Sequence, residues 1–153
     1  MKSYQSVSEA FEGLPELEVG ESSGSVENHV AANHRKPTVE RFSAMDQGCG
    51  QESVPENLRT KKNSQQRLDG DRPAPTMLTL PDDFVHPYKP RIPTVREMAR
   101  LQTFDDDFVF TGPRRTGGSH RQESVCQYQQ VGNAVPVKLA ESLADVVNDQ
   151  IDS

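Results

Sequence analysis

The sequence predicts a sparse, partly irregular α+β chain, and three observations carry that expectation. Only 33% of the 153 residues are apolar and 6% aromatic, with no Trp, which is thin for a self-sufficient core. Helical patterning is confined to short stretches near the two ends, with one plausible strand at Thr76 to Leu80. Residues 19 to 72 lack sustained periodicity and are rich in Gly, Ser, Asn, Gln and Glu; with a mean hydropathy of -0.75 for the whole chain, they read as a long, loosely structured connection.

Taken in order, "YQSVSEAFEGLPEL" offers Ser6 or Ser8 as a helix start, places Val7, Ala10, Phe11 and Leu14 at helical spacing, and closes with Gly13 and Pro15. In the long connection, Phe42 and Met45 stand as isolated apolar residues. Order is expected to return at "RPAPTMLTL", where Pro73 and Pro75 force extended backbone ahead of the strand. A rigid loop, "PDDFVHPYKPRIP", follows. Thr94-Val95-Arg96-Glu97 fits a capping box, so a helix starts there with Val95, Met98, Ala99 and Leu101 facing a core. Phe104, Phe108 and Phe110 form a packing cluster on the next loop, and "PRRTGGSHRQES" reads as a mobile surface loop. The last helix begins at Pro136, with Ala140, Leu143, Ala144, Val147 and Ile151 along one face. Little in the chain is left to cover that face, so these pieces either dock economically on one another or dock on something outside this sequence.

The charge and the cysteines exclude several classes. A net charge of -6 argues against a general nucleic-acid-coating surface. Residues 57 to 72 nevertheless hold a basic stripe, Arg59, Lys61, Lys62, Arg67 and Arg72, which is either a solvated loop or a phosphate-contacting strip. Cys49 and Cys126 form no CxxC pair and the first residues have no signal-peptide core, so the expectation is a reduced, cytoplasmic protein. No apolar run approaches the roughly 18 to 20 residues that span a bilayer, so no membrane role is expected. His29, His34, His86 and His120 have no metal-binding spacing, and no metal is expected.

Two late segments are specific enough to carry a resemblance. "RIPTVREMARLQTFDDDFVFTG", followed by "QVGNAVPVKLAESLA", resembles the last two conserved blocks of the DNA (cytosine-5) methyltransferases. "NHVAANHRKPTVERFSAMDQGCGQESVPENLR", "RLDGDRPAPTM" and "FVHPYKPR" also resemble the segments that precede those blocks. The resemblance implies the C-terminal part of an α/β, Rossmann-like enzyme that moves methyl from S-adenosylmethionine to carbon 5 of a cytosine flipped out of duplex DNA. In that family a Cys attacks carbon 6, a Glu stabilises the ring and a glycine-rich turn cradles the cofactor.

None of those three parts is in this sequence. The family nucleophile sits in Pro-Cys, but Gly48 precedes Cys49, and Val125 precedes Cys126, which also lies out of order between the last two blocks. No catalytic residue is therefore assigned. The expected organisation is a short helical lead-in at 1–18, a partial target-recognition region with long loops at 19–93, and at 94–153 the blocks that return to an absent catalytic domain. By resemblance, Gly132, Asn133, Ala134 and Val135 lie beside the cofactor; from the residues alone, "GNAVP" before a helix reads as simple capping, with Gly132 allowing a tight turn. Thr76 is either a hydroxyl for a DNA phosphate or a buried strand residue, and Arg59, Lys61, Lys62 and Arg67 fall in the recognition region facing DNA. Arg91, Arg96 and Glu97 read as structural, and Asp105 stands where the family commonly has Pro. Expected partners are duplex DNA and a complementary N-terminal methyltransferase polypeptide. The alternatives are a non-catalytic DNA- or partner-binding module, or an inactive remnant.

Overall fold

The computed structural model describes residues 4–115 and 125–151. His120 and most of the loop expected at "PRRTGGSHRQES" lie outside those residues. Helix α1 spans Val7–Phe11, capped by Ser6 and Glu9 in a reciprocal capping box. Its first amides close on a distant segment: Val7 N donates to the Arg72 carbonyl at 2.9 Å and Ser8 N to Gly70 at 3.0 Å. Helix α3, Val95–Leu101, has the expected Thr94–Glu97 capping box and buries Val95, Met98 and Ala99.

The region expected to be loose, 19 to 72, is organised. It contains α2 (Lys36–Ser43), two 3-10 turns (Gln51–Ser53 and Glu56–Leu58) and β1 (Gln66–Arg67). Phe42 and Met45, isolated in sequence, are each 1% exposed. They join Val7, Leu68, Met98 and Val131 in one core that draws on the chain from residue 7 to residue 131. Few apolar residues suffice because polar side chains hold the loops by their carbonyls. Arg67 donates to the carbonyls of Phe42, Met45 and Pro87. Arg96, fully buried, donates to Glu27, Asp105 and Phe108. The Asn28 side chain pairs with both backbone groups of Phe110, which anchors the Phe104, Phe108 and Phe110 ring cluster.

The strand expected at Thr76 to Leu80 does not form. β1 instead pairs in parallel with β2, Phe84–Val85, with Gln66 opposite Phe84 and Arg67 opposite Val85. Pro73 and Pro75 have no amide hydrogens to donate, and of residues 76 to 80 only Met77 is buried, so that segment has neither the ladder nor the alternating face of a strand. The loop expected at 81 to 93 holds β2 and a 3-10 turn, Pro81–Asp83. Among the described residues this two-stranded pair is the sheet, so the doubly wound sheet expected of the whole fold is not present in them.

A helix that the sequence reading missed, α4, runs Gln127–Asn133 and packs on α3. Gly132 and Asn133 are thus the last helical residues, and the turn falls at Ala134–Pro136. Helix α5, Val137–Ile151, starts one residue after the expected position and has no buried residue. Leu139, Leu143, Val146, Val147 and Ile151 are all more than half exposed.

Candidate functional site

The second half is organised around the start of α3. Arg91 is 1% exposed and grips Glu97 through two bonds, Nη1 to Oε2 at 2.8 Å and Nη2 to Oε1 at 2.7 Å. Its Nε donates to the Leu17 carbonyl at 2.9 Å. Burial pushes the Glu97 carboxyl up, but the Arg91 guanidinium outweighs it and holds the group below its ordinary value. Thr94 Oγ1 accepts from the Glu97 amide and lies 2.8 Å from His29 Nδ1; the Pro15 carbonyl can only accept, so His29 Nε2–H donates to it at 2.8 Å, and in that neutral tautomer Nδ1 accepts the Thr94 proton. His86 Nδ1 accepts from the amides of Tyr88 and Lys89, and burial pushes its pKa down to about 4. Arg91, Arg96 and Glu97 therefore tie loops to the helix, as read from the sequence. Among the described residues no group of His, Cys, Asp and Glu is arranged to hold a metal ion.

The far end of α3 positions the residues expected beside the cofactor. Gln102 caps α3, and its Nε2 donates to the carbonyls of Val131 at 3.2 Å and Ala134 at 3.1 Å, while its own carbonyl accepts from Val137 N at 3.1 Å. Thr103 adopts a left-handed conformation with φ of 59°, a costly geometry for a β-branched residue, and its Oγ1 accepts from Lys138 N at 2.9 Å. Leu139 N donates to Pro136 O, so with Val137 N and Lys138 N the first amides of α5 are already occupied. Asn133 and Val135 are exposed, and Gly132 and Ala134 half-buried. The sequence reading missed Gln102 and Thr103; the one signal was a glutamine at the helix end, "RLQTF".

The basic stripe divides. Arg59 donates to the Val54 and Glu52 carbonyls, Lys62 pairs with Asp82 and Asp83 at 3.2 and 3.1 Å, and Arg67 is the clamp described above. Lys61 and Thr76 are exposed, so Thr76 is not a buried strand residue. Cys126 is buried at the start of α4 and Cys49 is half-buried; both are free thiols.

The model of the C-5 cytosine-specific DNA methylase family matches residues 6–149. The chain is 39% identical over 128 residues to Type II methyltransferase M.AquIB of Picosynechococcus sp., covering 82% of this chain and 90% of that relative. It is 35% identical over 147 residues to Type II methyltransferase M1.HphI of Haemophilus parahaemolyticus, covering 94% of this chain but 37% of the relative. With M.DdeI of Desulfomicrobium norvegicum the identity is 32% and the chain spans 43% of the relative. An E. coli crystal structure, described as a DNA modification methyltransferase encoded within a prophage, superposes with a TM-score of 0.66 at 23% identity, over 96% of this chain and 47% of that one. That last likeness concerns the fold alone. Matched along almost its whole length by the family model, the chain belongs to the C-5 cytosine-specific DNA methylase family.

Proposed function

We propose that this chain is the C-terminal part of a DNA (cytosine-5) methyltransferase, able to transfer methyl from S-adenosylmethionine to cytosine in DNA only when completed by a part that carries the Pro-Cys nucleophile and the glycine-rich cofactor turn. The observation that carries this is α5, whose apolar face packs on nothing among the described residues. Such a face is suited to burial against the sheet of the completing part. The relatives support it from another side, because the chain spans 90% of one and well under half of two others.

In the completed enzyme S-adenosylmethionine supplies the methyl group. This chain contributes an edge of its pocket: Asn133 with one donor and one acceptor group, flanked by Ala134 and Val135, with Gly132 behind them. Thr76 and Lys61 face the duplex, while Arg59, Lys62 and Arg67 shape the region from beneath. The location is cytoplasmic, with both thiols reduced.

The test is reconstitution. Mixing the chain with the polypeptide encoded next to it, or with the matching N-terminal portion of a long relative, should give transfer of labelled methyl from S-adenosylmethionine to cytosine-containing duplex DNA. The chain alone should give none. Turnover by the isolated chain, or silence of every complemented mixture, would sink the proposal.

A further inference from the structure

Residues 72 to 80 form an extended segment seated at both ends by close approaches to glycine. Upstream, α1 holds the Gly70 and Arg72 carbonyls, and a Cβ on Gly70 would overlap the Tyr88 hydroxyl. Downstream, a Cβ on Gly132 would stand 2.6 Å from the Leu78 carbonyl oxygen and 2.8 Å from Thr79 Cα. Both of those neighbours are backbone, so no side-chain rotation relieves the overlap. Between the two seats, no described residue hydrogen-bonds to Pro73 through Thr79, and only Met77 is buried. Thr76 stands exposed in the middle of this segment.

We infer that Gly132 is a positioning residue for Thr76: the absence of a side chain on α4 lets the Leu78–Thr79 backbone lie against the helix, and this seat sets where the Thr76 hydroxyl meets DNA. This rests on the reading above, in which Thr76 faces a phosphate. The partner that yields to a larger residue at 132 is the segment and not the helix. Helix α4 is fixed by Tyr128 Oη donating to the Pro93 carbonyl at 2.8 Å and by the two Gln102 bonds, whereas the segment has no hydrogen bond to resist. The block that borders the cofactor and the segment that meets DNA are thereby joined at one backbone contact.

The first experiment needs only the isolated chain. Amide spectra and nitrogen relaxation of Gly132→Ala should show shifted resonances at Met77 to Thr79 and a more mobile Thr76, with α1 and β1 unchanged. Should that variant not fold, Leu78→Gly loosens the same seat from the other side by removing an exposed side chain and adding no atom. Thr76 unmoved in whichever variant folds overturns the seat. The second experiment is a double-mutant cycle on duplex binding by the reconstituted enzyme. Thr76→Val should weaken binding about tenfold, the scale of one hydrogen bond to a charged group, and should add nothing in the Gly132→Ala background. Additive effects overturn the coupling, since general destabilisation adds and shared positioning does not. If Thr76→Val leaves duplex binding unchanged, the DNA-facing reading fails and the inference with it, while the spectra of the first experiment still report on the seat itself.

Discussion

Replacing Glu97 by Gln removes one charge from the buried pair at the start of α3 and keeps the shape. The amide oxygen can still accept from Thr94 N and Arg91 Nη1, so the cap survives, while the amide NH2 now faces Arg91 Nη2 donor to donor and adds to the electrostatic loss. Arg91, with 1% of its side chain exposed, is then left charged and without its counter-ion. Breaking a buried pair in this way costs about 3–5 kcal/mol, a large share of the ~5–15 kcal/mol that stabilises a typical domain. At about 2–4 °C per kcal/mol for a chain of this size, Tm should fall by roughly 6–20 °C. Urea and thermal melts followed by far-UV circular dichroism at neutral pH measure it. Glu16→Gln is the control: its side chain is 85% exposed beside Lys89, and its melting should be unchanged. A loss under about 1 kcal/mol for Glu97→Gln, the range of an exposed pair, would refute the view that Glu97 neutralises a desolvated Arg91.

His86 sets a pH dependence. Its folded pKa of about 4 lies below the ordinary 6.5, so the unfolded chain takes up a proton first as pH falls. Stability is full above about 6.5 and declines towards pH 4 by about 3 kcal/mol, and His86→Gln should flatten that slope in urea titrations. Leu143→Glu with Val147→Glu should leave melting of the isolated chain within about 0.5 kcal/mol of the parent but abolish methylation in the reconstitution assay; retained activity would show that α5 is not the joint. Arg67→Lys should destabilise by about 2–3 kcal/mol, because an ammonium cannot reach the carbonyls that the fork spans. Lys61→Ala should instead leave stability unchanged and reduce the salt slope of duplex binding by the reconstituted enzyme by about 1.

Helices α1 and α3 were legible because each carries its own start signal, Ser6 with Glu9 and Thr94 with Glu97. Helix α4 has the same geometry at one step, with the Cys126 amide donating to Gln129 Oε1, but Cys in place of Ser or Thr hides the pattern. Helix α2 follows Arg35 with no side-chain cap and begins Lys-Pro in a polar stretch, so nothing local announces it. The two strands are two residues each and pair across the 16 intervening residues 68 to 83, a contact no local pattern encodes. At the site, "GNAVP" was recognisable as a motif, yet its glycine serves a backbone approach from residues 78 and 79 and not the tight turn that its neighbours suggested. The basic stripe misleads for a related reason. Charge counts treat every Arg as solvated, whereas Arg67 turns inward because loop carbonyls lacking a ladder need donors.

Those arginine clamps also bear on how the molecule can change over evolutionary time. A β-ladder fixes every residue along it, but a guanidinium fixes only the few carbonyls within its reach. The chain is pinned at such points as Phe42, Met45, Pro87, Asp105 and Phe108, and a stretch between pins that neither pairs nor packs has only to span its gap. Insertions and deletions are then tolerated between pins and penalised at them, since loop closure grows only slowly more costly with length. None of residues 60 to 63 is buried, and although Thr60 and Lys62 are tied to Gln51 and to Asp82 and Asp83, a surface meeting a new DNA sequence can be rebuilt around the exposed Lys61 without unfastening the core.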